Sequence, residues 1–195
     1  MSEGARQQQK KQTRERILDA AGRLMADGRG LDSLGLREVA REAGLAATSL
    51  YNHFPDMEAL GLALIDRACF HLRSSMAEGR RSMIEVGAAR AVRELVARFV
   101  RFQQDYENEF RLLVQQRLGR RSSYRRRIHG ELQLMVNELA EDVREAEAAI
   151  AVMFGLGIAM LDVSPARRRE LAENAGDQVE IIALGGRCWA AGDRL

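Results

Sequence analysis

Apolar side chains recur along most of the chain at the three- and four-residue spacing of a helix face. Ile17, Ala20, Ala21, Leu24 and Met25 form the first such stripe, and Gly28 and Gly30 then supply a stop. Ser33 is expected to begin a second, shorter helix. After Pro55, Asp56 has the chemistry of an N-cap, and Leu60, Leu64, Ala68, Leu72 and Met76 line one face of a helix running to about Gly79. Val92, Val96, Phe99, Phe102 and Tyr106 make a further stripe, and Ile128, Leu132, Met135, Val136, Leu139 and Val143 another. Ala148 to Leu161 is apolar or glycine at every position, which predicts a helix buried on all sides although too short to cross a bilayer. Pro165 fits the start of a last helix, with Leu171, Ala175, Val179 and Ile182 as its stripe.

The choice of apolar residue supports the same architecture. The chain uses 28 Ala and 23 Leu against 11 Val, 8 Ile and 2 Thr, so helix formers dominate strand formers and the fold class is all-α. With 195 residues, 46% hydrophobic side chains and a net charge of +2, the chain is too apolar and too nearly neutral to be disordered, and long enough for one large or two small cores. No apolar run reaches the roughly 18 residues of a membrane span. Met1 to Arg16 is polar, with no apolar block after its charges that could act as a signal peptide, so the expected location is the cytoplasm. Cys69 and Cys188 belong to no CxxC or zinc pattern and are expected to be small buried hydrophobes.

The most informative stretch is LREVAREAGLAATSLYNHF, residues 36 to 54. Val39, Ala40 and Ala43 give a short helix a small apolar face. Gly44 permits a left-handed turn, and Leu45 and Leu50 pack a second helix back onto the first. This is a helix-turn-helix, in which a side chain larger than Ala40 would push the two helices apart. At about 100° per residue, Leu50 and Phe54 share the inner side, Thr48 and Asn52 point away from it, and Ser49 and Tyr51 flank them. Asn suits adenine, Thr offers a methyl and a hydroxyl to base edges, and Tyr, Ser and His reach phosphates. A plain α-hairpin with polar residues facing water has the same local pattern. The flanks favour DNA, because Arg6, Lys10, Lys11, Arg14 and Arg16 form a basic arm before the first helix, and Arg37 and Arg41 add charge that Glu38 and Glu42 offset locally. The candidate DNA contacts are Arg14, Arg37, Ala47, Thr48, Ser49, Tyr51, Asn52 and His53.

From about Thr13 to Leu60 the chain resembles the DNA-binding domain of TetR-type repressors, with the first helix, REVAREAG and LYNHF at that family's spacing. The resemblance implies an N-terminal three-helix helix-turn-helix domain, residues 1–55 with the basic arm. It is followed by a larger helical ligand-binding and dimerisation domain, residues 56–195. Such repressors usually place Lys shortly after the phenylalanine, where this chain has Met57, so that phosphate contact does not carry over. DMEALGLALID, EFRLLVQQRLGRRSSYRRRI and FGLGIAMLDVSPARRREL further resemble the FabR/DesT group of regulators of unsaturated fatty acid synthesis. That likeness implies a long-chain acyl-CoA or acyl carrier protein thioester as effector, double-stranded DNA as partner, and no resident cofactor.

An acyl chain needs a long apolar cavity, and Phe70, Met76, Phe99, Phe102, Phe110, Leu113, Met135 and Met153 supply large, adaptable side chains, each of which equally suits an ordinary core. Arg117, Arg120, Arg121, Arg125, Arg126 and Arg127 suit phosphate recognition, with Arg117, Arg121 and Arg125 the ligand candidates. They equally suit a solvated loop in a chain that uses 28 Arg and 2 Lys. The last two helices, with Gly155, Gly157 and Ala159 allowing close approach, fit either a homodimer interface or the centre of a monomeric core. His53, His71 and His129 form no metal spacing, and no nucleophile elbow, P-loop or dinucleotide turn is present, so no enzyme or metal site is expected. Two alternatives stand beside this reading. One is a TetR-type sensor of another hydrophobic ligand, such as a drug or a free fatty acid. The other is an acyl-thioester carrier or enzyme that keeps the helix-turn-helix as scaffold.

Overall fold

The computed structural model describes the backbone of residues 3–26, 28–81, 88–140 and 146–192, and the side chains of 4–26, 28–77, 93–139 and 147–179. Among these residues all regular structure is helical: α1 Glu3–Ala26, a single 3-10 turn Leu31–Ser33, α2 Leu36–Glu42, α3 Ala47–Tyr51, α4 Met57–Arg81, α5 Ala88–Asp105, α6 Glu107–Leu118, α7 Ser122–Ala140, α8 Ala146–Ala159 and α9 Pro165–Gly192. The all-α class expected from the Ala and Leu content is the one observed. Val143, Ile182 and Cys188 lie outside the described side chains, whereas Cys69 is a buried thiol.

Most element boundaries follow local chemistry. Asp56 caps α4 through a 2.7 Å bond in which the Ala59 amide donates to Oδ1. Pro165 opens α9, where its missing amide hydrogen costs nothing, and the Ser164 hydroxyl accepts from the Arg167 amide at 3.3 Å. Gly28 stops α1 with φ of 79°. Two expectations need correction. Ser33 does not start α2, because its hydroxyl donates backwards to the Gly30 carbonyl at 2.8 Å and closes the 3-10 turn; Gly35 is the residue at the N-cap. The basic arm does not precede the first helix but forms part of it, since α1, Glu3–Ala26, holds Arg6 to Arg16 in one continuous helix.

The chain divides into two compact units, residues 1–68 with 108–127 and residues 69–107 with 128–195. The first takes in the expected 1–55 domain but extends past it, because long-range contacts bind the start of α4, α6 and the start of α7 to it. Arg67 pairs with Asp19 at 2.7 Å and with Glu109 at 3.4 Å, Arg127 pairs with Asp66 at 2.5 Å, and Arg121 with Asp32 at 3.3 Å. Tyr124 is buried to 1% exposure, and its hydroxyl donates to the Met57 carbonyl at 3.2 Å. Gly61 makes room for that ring, since a Cβ there would stand 2.6 Å from Tyr124 Cζ. Burial pushes the Tyr124 phenol above its ordinary value, so it stays a donor.

In the second unit α9 packs on α5 and α8, and α5 also meets α8. Leu72, Met76, Leu95, Val96, Phe99, Phe102, Met135, Leu139, Ile150, Met153 and Met160 are buried there. α8, apolar or glycine at every position from Ala148 on, is not covered on every side by the described residues. Ala151, Gly155, Ile158 and Ala159, spaced along one face, are exposed, Ile158 to 46%.

Candidate nucleic-acid interface

The short helix pair is built as its sequence suggests. α2 ends in a Schellman motif: the Leu45 amide donates to the Ala40 carbonyl at 2.9 Å and the Gly44 amide to the Arg41 carbonyl at 3.1 Å, with Gly44 at φ of 66°. Val39, Ala40 and Leu50 are buried between α1, α2 and α3. Arg16 donates through Nη2 to the Ala43 carbonyl at 2.9 Å, which satisfies the C-terminal end of α2 and fixes α1 against the turn. Arg14 lies over the ring of Phe54, its guanidinium carbon 4.5 Å from the centroid, so the residue that ends the motif is clamped from α1.

That frame turns one polar surface outward. Thr48, Tyr51 and Asn52 are exposed, Ala47, Ser49 and His53 half-buried, and Leu50 and Phe54 closed off beneath them. Arg6, Gln9, Lys10 and Thr13 of α1 share one helix face. With Leu45, Ser49, Asn52 and His53 they border an open groove of about 450 Å³. The helical arm therefore reaches the recognition surface as part of a wall, a placement that composition alone did not suggest; the signal for it was the four-residue spacing of Arg6, Lys10 and Arg14.

Charge at this surface is more positive than the sequence implied. Glu38 and Glu42 do not cancel Arg37 and Arg41, because each is taken by another arginine. Arg29 Nη2 donates to Glu38 Oε2 at 3.0 Å, and Arg23 Nε to Glu42 Oε1 at 2.7 Å. The hydrogen bond from Arg29 holds the Glu38 carboxyl below the usual range. Arg37 and Arg41 are exposed, with no ion pair among the described residues. Burial, then the charges of Lys10 and Arg14, hold the His53 imidazole below its ordinary value, which leaves it neutral near pH 7.

The residues considered for a ligand are not gathered in one unit. Phe110 and Leu113 are buried in the first, and Met76, Phe99, Phe102, Met135 and Met153 in the second. Phe70 is 58% exposed and lines no interior, so it does not belong with them: on α4 it follows Cys69, which takes the inward direction. The arginine run is largely engaged at home. Arg121 pairs with Asp32 and stacks at 5.6 Å on Tyr124, Arg127 pairs with Asp66, and Arg125 donates to the Gly119 carbonyl at 3.3 Å. Arg117 is exposed. Among the described residues no group of three or more His, Cys, Asp or Glu could hold a metal ion, and no helix is long and apolar enough to cross a membrane.

Residues 17–64, which span this frame, match the family described as bacterial regulatory proteins, tetR family. The whole chain is similar in fold to solved regulators. A TetR-like transcriptional regulator from Rhodococcus sp. RHA1 superposes with a TM-score of 0.70 at 19% identity, covering 90% of this chain and 96% of that one. FadR from Bacillus subtilis, solved in complex with stearoyl-CoA, gives 0.66 at 16% identity over 88% and 98% of the two chains. The multidrug binding protein EbrR, solved with imidazole, gives 0.68 at 24% identity over 85% and 93%.

Proposed function

We propose that the protein is a TetR-family transcriptional regulator, a homodimeric repressor that reads an inverted-repeat operator with α3 and releases or tightens on it in response to a hydrophobic effector. The observation that carries the DNA assignment is the outward stripe of Thr48 and Asn52 on a helix whose inner side is locked by Leu50 and Phe54, beside a basic wall made by Arg6 and Lys10. Asn and Thr match base edges, and the arginines and lysines match phosphates. The carrier or enzyme alternative keeps the same helix-turn-helix, and the DNA-binding test below separates it from this reading. An inverted repeat requires two heads about one DNA turn, roughly 34 Å, apart. The bare apolar face of α8, with Ala151, Gly155 and Ile158, supplies a surface on which a second copy can close, together with α9.

For the effector, a long-chain acyl thioester is the first candidate. The buried Met and Phe side chains of the second unit suit an acyl chain, and a protein of this fold has been solved with stearoyl-CoA. Control of unsaturated fatty acid synthesis genes would follow from such a ligand. A different hydrophobic ligand is the second reading, favoured by the shared fold of EbrR and by the ion pair of Arg121 with Asp32, with which a phosphate would have to compete. Fluorescence anisotropy with DNA from upstream of the protein's own gene and its neighbours tests the proposal, first alone and then with oleoyl-CoA, palmitoyl-CoA and oleate. Saturable binding in the nanomolar range, competed poorly by unrelated DNA and shifted by one of these ligands, is expected. Equal affinity for every duplex would refute it.

A further inference from the structure

Gln103 lies on α5 within a row of large apolar residues. Phe99 precedes it by one turn and Phe102 is its neighbour; all three are buried, Gln103 to 0% exposure. Its amide Nε2 and Oε1 both lack a hydrogen-bond partner among the described residues. Among the described residues the other buried side-chain polar atoms without a hydrogen-bond partner, Arg67 Nε and Gln116 Oε1, lie in the first unit, so Gln103 stands alone in this respect among the described residues of the second. A buried amide left with both functions open weakens a core, and such a group in a folded protein calls for a partner beyond the described residues. Because both atoms are open, exchanging the amide nitrogen and oxygen would not remove the vacancy.

We infer that Gln103 is the polar anchor of the effector site in the second unit, and that it takes a ligand with an apolar body and one uncharged group that both donates and accepts a hydrogen bond. This rests on the proposal that the protein responds to a hydrophobic effector and narrows its chemistry. The apolar body follows from Phe99, Phe102, Met135 and Met153, all buried in the same unit. The uncharged head follows from Gln103 itself, since a neutral amide does not compensate a carboxylate or ammonium taken out of water. Nε2 must meet an acceptor and Oε1 a donor. An alcohol, a primary amide, or the secondary amide of a pantetheine arm meets both. An ester or thioester oxygen alone satisfies only Nε2, and leaves Oε1 stranded.

The test measures binding without DNA, so that it stands apart from operator recognition. Isothermal titration of the full-length protein with 1-decanol, decanamide and methyl decanoate compares the same apolar body with heads that donate and accept, or only accept. The wild type is expected to bind the alcohol and the amide about tenfold more tightly than the ester, the equivalent of one net hydrogen bond of ~1.4 kcal/mol. Gln103→Met, close in length but apolar, is expected to erase that preference while leaving the melting temperature of the ligand-free protein equal or higher. Gln103→Asn, which keeps both functions on a shorter stem, is expected to retain part of it. No preference in the wild type, or a preference that survives in Gln103→Met, overturns the inference. A marked loss of ligand-free stability in Gln103→Met also overturns it, because the amide would then be satisfied within the protein. None of these outcomes touches the DNA proposal, which fails only in the anisotropy experiment.

Discussion

Replacing Gly61 by Ala puts a methyl group into the seat of Tyr124. A Cβ at Gly61 would approach Tyr124 Cζ to 2.6 Å and Leu31 Cδ2 to 2.9 Å, with the Tyr124 hydroxyl closer still. Leu31 has a flexible end and can turn aside, but a ring exposed to only 1% has nowhere to go without dragging α7. Overpacking of this kind costs ~1–3 kcal/mol. Moving the ring also breaks the hydrogen bond to the Met57 carbonyl, about 1 kcal/mol more. Against this stands ~1 kcal/mol of helix propensity gained by Ala over Gly inside α4. The net expectation is a loss of ~1–3 kcal/mol. Tyr124→Ala alone should lose ~3–5 kcal/mol by leaving a cavity. In that background the close contact that remains is Leu31, whose flexible end can turn into the space left by the ring, so Gly61→Ala becomes neutral or stabilising by up to about 1 kcal/mol. Urea unfolding of the four proteins, followed by circular dichroism, gives the coupling directly. If Gly61→Ala costs as much without the Tyr124 ring as with it, that ring is not what constrains residue 61.

Four further outcomes follow from the same structure. Asn52→Ala should lose ~1–3 kcal/mol of discrimination between operator and altered operator while helicity stays unchanged; unaltered preference in competition binding contradicts the placement of that side chain. Arg6→Gln with Lys10→Gln should weaken binding to all duplexes alike and make the log affinity versus log salt slope shallower by ~2, about 0.9 for each phosphate that is no longer neutralised, and an unchanged slope removes the groove from the interface. His53 is held neutral in the free protein, so a phosphate drawn near it would raise its pKa and make binding take up a proton; affinity should rise as pH falls from 7.5 through the ordinary histidine value, and His53→Gln should flatten that dependence. Ile158→Arg, which places a charge on the bare face of α8, should convert a dimer to monomer in sedimentation equilibrium without changing the helical signal; a dimer that survives it closes elsewhere.

The helix-turn-helix was legible because its determinants are local. Gly44, Ala40 and Leu45 set the turn within six residues, and the period of a helix separates Thr48 and Asn52 from Leu50 and Phe54. The helix stripes were legible for the same reason, with Asp56 and Pro165 marking starts that any context would respect. What escaped depends on residues far apart in sequence. Nothing near Arg121 or Arg127 announces Asp32 or Asp66 as its partner, so a run of arginines read naturally as an anion site. The arginines that neutralise Glu38 and Glu42 sit outside the motif, which made the surface look less basic than it is. Gln103 was passed over for another reason: it stands one turn after Phe99, on the inward stripe itself, but a polar residue there reads as a break in the stripe until its burial is seen.

The long-range pairs matter for regulation because of where the chain crosses between units. The chain passes from the first unit to the second within α4 after Ala68, returns to the first at the α5–α6 junction after Glu107, and enters the second again within α7 after Arg127. Each crossing has an anchor close by on the first-unit side: Arg67 to Asp19 and Glu109, Asp66 to Arg127, and Tyr124 seated on Gly61. The helix-turn-helix, the start of α4, α6 and the start of α7 are thereby held as one compact unit, so in the proposed regulator a ligand in the second unit would act on α3 through that unit as a whole. Gln103 stands four residues before one of the crossings, on the helix that leads into it. An effector shifts operator affinity only by the difference in its binding to two arrangements, typically ~1–3 kcal/mol. Loosening one anchor lets part of that difference dissipate within the first unit. If the proposed regulation holds, Gly61→Ala, at a temperature where it remains folded, should therefore keep operator affinity near the wild type and blunt the effector response, a separation that general unfolding of the first unit would not produce.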